Sequence, residues 1–274
     1  MTPAYAGHFG LRHAPFSKEI EDEGLWLPPS KQAVVESLED ALAERASVVL
    51  CGEPGVGKTC VLRALRRRLP DKGYRLTYCH NATLGRRDFY RQLCLALGLS
   101  PSATAAAVFY AVSTHMEDLS REHVHPVLLL DEAHLLHQDM LEHLHILLNY
   151  EWDRRALLSV VLVGLPELED RLAMRRNRSL WSRIHYRLRV DPLTVEDTGA
   201  YLRARLQQAG SDREIFSEEA VAELHKASEG SHRELDRLAT DCLRLAQRRK
   251  KGVVERALAA TVTASDERNE PATR

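Results

Sequence analysis

Residues 52–59 read GEPGVGKT. The spacing is G-x-x-x-x-G-K-[ST], the P-loop pattern. Its glycines let the backbone curl, so that successive N–H groups point inward and meet phosphate oxygens. Lys58 is placed to neutralise the outer phosphates, and the Thr59 hydroxyl is a ligand for magnesium. The helix expected to follow adds a favourable dipole at its N-terminus. A second group, LLLDEAH at 128–134, is an apolar run closed by two acids. A carboxylate at the tip of a buried strand, near a P-loop strand, is where a magnesium partner sits. Asp131 fits that role. Glu132 is then placed to polarise the water that attacks a γ-phosphate. Acids often close strands, so this run means little alone; it gains meaning from following a P-loop with one strand pattern in between. The chemistry implied is binding and hydrolysis of ATP with Mg2+. The nucleotide set is Gly52, Glu53, Pro54, Gly55, Val56, Gly57, Lys58, Thr59, Cys60 and Asp131, with Thr59 and Asp131 as the magnesium ligands.

These residues need strands to carry them. SVVLCG (47–52) reads as a short buried strand entering a Gly-rich turn. The helix after Lys58 ends at Pro70. YRLTYCH (74–80), PVLLLDE (126–132) and LLSVVLVG (157–164) are further strands, the last two apolar enough to be buried on both faces. Helical patterns fall at 31–44, 86–97, about 104–119 and 139–150. Alternating strands and helices predict an α/β fold with a central parallel sheet. After Pro192 the segments near 195–209, 217–228 and 231–249 are all helical, which predicts a small all-α lid domain. Residues 1–30, rich in Pro, Gly and aromatics, read as an ordered arm or loop. The expected organisation is an arm at 1–30 beside the nucleotide site, a core at 31–191, a lid at 192–264 and a flexible tail at 265–274.

Bulk properties narrow the class. The chain has 274 residues, 44% of them apolar, so a real core can be buried. The 38 basic and 39 acidic residues nearly cancel, which leaves local patches to decide any nucleic-acid contact. Cys51, Cys60, Cys79, Cys94 and Cys242 show no C-x-x-C pair. An odd number without that spacing argues against a disulfide framework or a zinc ribbon. No stretch has signal-peptide character or the length of a membrane span. The expectation is a soluble, cytoplasmic protein.

With these motifs in place, the chain resembles an AAA+ ATPase. Within that class it is similar to the ExeA-like ATPases and to the ATPase subunits of transposition systems of the bacteriophage Mu and insertion-sequence type. FGLRHAPF (9–16), GEPGVGKT, LLLDEAH, LLNYEWD (147–153), VLVGLPEL (161–168) and GSHRELDRL (230–238) carry the resemblance, which spans about residues 8–250. It implies further roles. Arg233 falls where the lid's sensor-2 arginine reaches the γ-phosphate. Arg183, just before the last core strand, falls where an arginine finger acts in trans in an oligomer, with Arg178 as the next candidate. Phe9 and Phe16 either pack beside the adenine or belong to a core. One position departs from the group: the sensor-1 place at the end of the fourth strand holds Leu165, which has no hydrogen-bonding atom. That predicts slow hydrolysis, or a substitute side chain, for which Asn149 is a weak candidate.

Residues 171–189 hold seven arginines and no acid. Arg86 and Arg87 lie beyond the second strand, and Arg248, Arg249, Lys250 and Lys251 form a third basic group. Each reads equally as a solvated face or as a phosphate-backbone contact with double-stranded DNA. Histidines are dense between His123 and His145. His134 and His137 could share a helix face, but the carboxylates near them already serve the nucleotide, so no metal site is expected there. DEAH also spells a helicase box, although no other helicase motif is present.

Two functions follow from the resemblance. The first is a transposition accessory ATPase that assembles on DNA as an ATP-dependent homo-oligomer, selects target DNA and stimulates a separate transposase. The second is an ExeA-like secretion or envelope ATPase. Those proteins carry a membrane span and a cell-wall-binding region after the ATPase. The 274 residues hold neither, which places the transposition reading first. A nucleotide-gated scaffold with little turnover is a third expectation, raised by Leu165.

Overall fold

The computed structural model describes residues 3–17, 20–70, 72–79, 86–100, 105–148 and 156–267. The chain divides into two compact units. One is 31–53 with 61–190, and the other is 1–30, 54–60 and 191–274.

The first unit is built on a five-stranded sheet in the order β2-β3-β4-β1-β5, with β1 Ser47–Cys51, β2 Tyr74–Cys79, β3 His125–Leu130, β4 Ser159–Gly164 and β5 Ile184–Arg189. All the pairings are parallel. The three inner strands are buried along their whole length, as their unbroken Val and Leu runs require, while the edge strands alternate in exposure. Their connections are helical, as parallel strands demand. In chain order, the helices that precede β5 are α1 (Ala4–Phe9), α2 (Pro29–Ala43), α3 (Lys58–Arg68), α4 (Arg86–Ala96), α5 (Ala105–Arg121), α6 (Gln138–Leu147), α7 (Glu167–Ala173) and α8 (Arg178–Trp181). Leu128, Leu130, Val160 and Leu162 share a core with Phe89, Leu93, Met140 and Leu144. His125 is buried within this unit, with Nε2 2.8 Å from Ser159 Oγ. Burial and the nearby Arg45 lower its pKa to about 4, so it is a neutral core residue.

The second unit is helical. After α9 (Val195–Gln208), α10 (Glu218–Ser228) and α11 (His232–Arg248) comes α12 (Arg256–Glu267), which runs into the stretch expected to be tail. Thr194 caps α9 in a reciprocal capping box with Asp197. The N-terminal arm, with α1, belongs to this unit. Phe9, Leu11 and Phe16 share its core with Leu206, Phe216, Leu238 and Cys242, and the Phe16 and Phe216 rings meet edge to face. Both aromatic residues of FGLRHAPF are therefore core.

Tyr201, Asp236 and Arg205 form a polar group inside the helical unit. The Tyr201 hydroxyl donates to Asp236 Oδ1 at 2.6 Å. Burial raises the Asp236 carboxyl to about 6, against the opposing effects of the Tyr201 hydrogen bond and the Arg205 charge. The folded chain thus holds this proton more tightly than the unfolded one, and the group lowers stability as pH rises from about 4 to about 6. Asp236→Asn keeps an acceptor for Tyr201 and removes the charge. Relative to the parent it should gain on the order of 2 kcal/mol at about pH 7.5, and the gain should vanish near pH 4. Urea unfolding of both proteins across that range checks this. A difference independent of pH would contradict it.

Candidate nucleotide site

The phosphate loop leaves β1 at Gly52, whose N–H bonds the Gly164 carbonyl at the end of β4. Gly55 and Gly57 have φ of 79° and 102°, the left-handed region that any other residue would enter under strain. Gly55 is also held sterically. A Cβ there would lie 2.4 Å from Ser231 Oγ and 3.1 Å from Arg233 Cβ. Its carbonyl accepts from the His232 N–H at 3.0 Å. The start of α11 is therefore fastened to the phosphate loop, and Arg233, an exposed residue of its first turn, springs from beside that loop. The loop ends where α3 begins, at Lys58. Curled glycines followed by the N-terminus of an eleven-residue helix are the backbone that a nucleotide phosphate needs. ATP fits these residues.

The acid pair closes β3 in the sheet unit. Asp131 is buried, and both its oxygens are engaged. Oδ2 accepts from the Tyr78 hydroxyl at 2.6 Å, and Oδ1 from the Glu132 N–H at 2.9 Å. Each oxygen keeps acceptor capacity for a magnesium ion or its water. The Tyr78 pKa is raised by partial burial and by Asp131, so the phenol stays a proton donor at neutral pH. Glu132 has φ 53°, ψ 34°, a conformation that costs a non-glycine residue roughly 1 kcal/mol or more. The turn aims its side chain outward, 53% exposed. This is the placement that a base for solvent water requires.

Sequence reasoning missed Tyr78 and the surroundings of His134. The 3-10 turn Ala133–Leu135 carries His134, and His137 lies outside it as the N-cap of α6, so the two histidines do not share one helix face. Among the described residues no group of three or more His, Cys, Asp and Glu side chains is gathered so as to hold a metal ion. All five cysteines are thiols, four of them buried. Asn149 lies outside the described residues, as do the side chains of Arg86 and Arg87.

The arginine run at 171–189 separates into different roles. Arg171 donates to the carbonyls of His134 and Leu136 and is a staple of the turn after β3. Arg187 stacks over Trp181 at 3.7 Å, and Arg189 pairs with Glu169 at 3.2 Å. Arg175, Arg176 and Arg178 are exposed, as are all of Arg248–Lys251. Arg183 donates to Ser179 O at 3.0 Å and lines an open groove with Glu44, Arg45 and His185. It immediately precedes β5, whose first residue pairs with Ser47 at the start of β1. The phosphate loop leaves the other end of that strand, about 13 Å away at the usual rise per residue.

Comparison with known proteins agrees with this geometry. The family model described as AAA domain matches residues 41–172. The general secretion pathway protein A of Aeromonas hydrophila is 34% identical over 229 residues, 82% of this chain and 42% of that protein. The chain thus spans less than half the length of that relative. Among solved structures, Cdc6p from Pyrobaculum aerophilum aligns over 88% of this chain and 67% of its own, with 20% identity and a TM-score of 0.65. The Drosophila ORC bound to DNA aligns over 97% of this chain and 66% of its own, with 20% identity and a TM-score of 0.69. With its parallel sheet, phosphate loop and helical C-terminal region, the chain has the AAA+ fold, and residues 41–172 match the AAA domain.

Proposed function

We propose that the chain is an ATP-switched assembly ATPase of the secretion protein A kind. MgATP binds through residues 52–60, with Thr59 and Asp131 holding the magnesium ion. Glu132 activates the attacking water, and Arg233 reads the γ-phosphate from the lid. Arg183 completes a neighbour's site, so ATP binding favours the oligomer and hydrolysis releases it. The observation that carries the choice of relative is the 34% identity over 229 residues. That match takes in 42% of the relative's length, so the lack of a membrane span in these 274 residues carries no weight against the secretion reading. Among the described residues no helix is long and apolar enough to cross a membrane.

A second reading, the cytoplasmic transposition accessory that selects target DNA and stimulates a separate transposase, is favoured by the exposed Arg175, Arg176, Arg178 and Arg248–Lys251. Steady-state ATP turnover with and without duplex DNA, at low and high salt, separates the two. Turnover unchanged by DNA at every salt supports the secretion reading. Stimulation that fades as salt rises supports the DNA reading.

A further inference from the structure

Leu165 leaves the tip of β4 without a polar side-chain atom, yet the tip is not without a polar partner. The Leu165 N–H faces His134 Nδ1 at 3.4 Å. An N–H on that side makes Nδ1 the acceptor, so the proton of the neutral ring sits on Nε2. Nε2 faces Glu132 Oε2 at 3.6 Å. At 3.6 Å the two are within ion-pair range and not hydrogen-bonded; a small turn of the exposed glutamate would close the gap, as catalytic hydrogen bonds often tighten only with substrate bound. The imidazole itself is 14% exposed, and the backbone of the turn that carries it is held in place. Arg171 grips the His134 carbonyl and bonds Leu136 O at 2.8 Å. Asn177 Nδ2 donates to Arg171 O at 2.7 Å. The residue before Leu165 makes room for the ring. A Cβ on Gly164 would come within 3.3 Å of His134 Nδ1 and 3.2 Å of its backbone N. Three features thus converge: a bonded ring, a stapled turn and a missing side chain opposite.

We propose that His134 is a positioning residue. It ties the Glu132 carboxylate to the end of β4, supplying from the turn after β3 the polar anchor that Leu165 lacks. This deepens the reading of Glu132 as the base and rests on it. No proton leaves the ring; the imidazole orients the carboxylate that accepts the proton from water.

The test uses the full chain with MgATP and a fluorescent ADP analogue. His134→Ala should lower kcat by about tenfold to a hundredfold, the range for removing a group that orients a catalytic one. Its affinity for the analogue should stay within about twofold, because the effect lies on the chemical step alone. His134→Gln, whose amide N–H reaches toward the place of Nε2, should recover most of the rate. Gly164→Ala, which crowds the ring without removing it, should lower kcat in the same sense with affinity kept. In a Glu132→Gln background, His134→Ala should add no further loss, because the two act as a unit. A parental kcat in His134→Ala overturns the inference. So does an equal loss with and without Glu132, or a matching fall in affinity. If Glu132→Gln itself hydrolyses ATP at the parental rate, the assignment of the base has failed and His134 has nothing to position. If that variant is inactive while His134→Ala is normal, only the role of His134 is wrong.

Discussion

Glu132→Gln should lower ATP turnover by about a hundredfold to ten-thousandfold, the usual share of a general base, while MgATP binding persists. The expectation comes from the contrast between two neighbouring acids. Asp131 is buried and bonded at both oxygens, by Tyr78 and by the next backbone N–H. Such a carboxylate suits a metal and is poorly placed to meet free water. Glu132 is exposed, and a left-handed backbone turns it away from its neighbour. An amide in place of its carboxylate would keep the shape and lose the proton acceptor. Nucleotide affinity should therefore hold, and the variant should accumulate in the ATP-bound, assembled state. Single-turnover hydrolysis and size-exclusion chromatography with MgATP measure both. Parental turnover, or an oligomer that disassembles on the parental schedule, would remove Glu132 from the role.

Arg183→Ala should lower turnover by about a thousandfold while leaving nucleotide affinity unchanged, if the guanidinium stabilises transition-state charge in a neighbour. Arg183 stands at the start of β5, level with the start of β1, whereas the phosphate loop leaves the far end of β1. The length of β1 lies between the start of β5 and the strand end from which the loop departs, which favours a phosphate in another subunit over one in its own. Mixing tests this directly. Arg183→Ala subunits keep a working phosphate loop, and Lys58→Ala subunits keep a working arginine. Each alone should be nearly inactive, and the mixture should regain turnover. Additive inactivity in the mixture would mean that the arginine acts in cis or not at all.

The phosphate loop and the three inner strands were legible in the sequence because their signals are local. GEPGVGKT is contiguous, and Val-Leu runs can only be buried on both faces. What escaped is long-range. Tyr78 meets Asp131 across 53 positions, and Leu165 meets His134 across 31. An alternating edge strand gives no sign of which exposed tyrosine will face a carboxylate. The arginine run stayed ambiguous for the same reason. Its composition left a solvated face and a phosphate contact equally open, and only the fold shows that Arg171 bonds carbonyls, Arg187 stacks on Trp181 and Arg189 pairs with an acid. The α1 helix was missed although its punctuation was present. Pro3 precedes it and Gly10 closes it at φ 69°, but six residues are too few to show a helical period. The departure at Leu165 was visible at once. Its structural counterpart was not, because a histidine next to an acid pair reads as part of that motif rather than as a link to a distant strand.

In the proposed mechanism one chain begins the nucleotide site and a second completes it. ATP turnover per subunit, measured across a wide range of protein concentration at saturating MgATP, tests this most directly. The predicted result is a specific activity that rises steeply as subunits associate and then levels off, with Arg183→Ala flat and low throughout. A specific activity that is high and constant down to the most dilute, monomeric protein would contradict it.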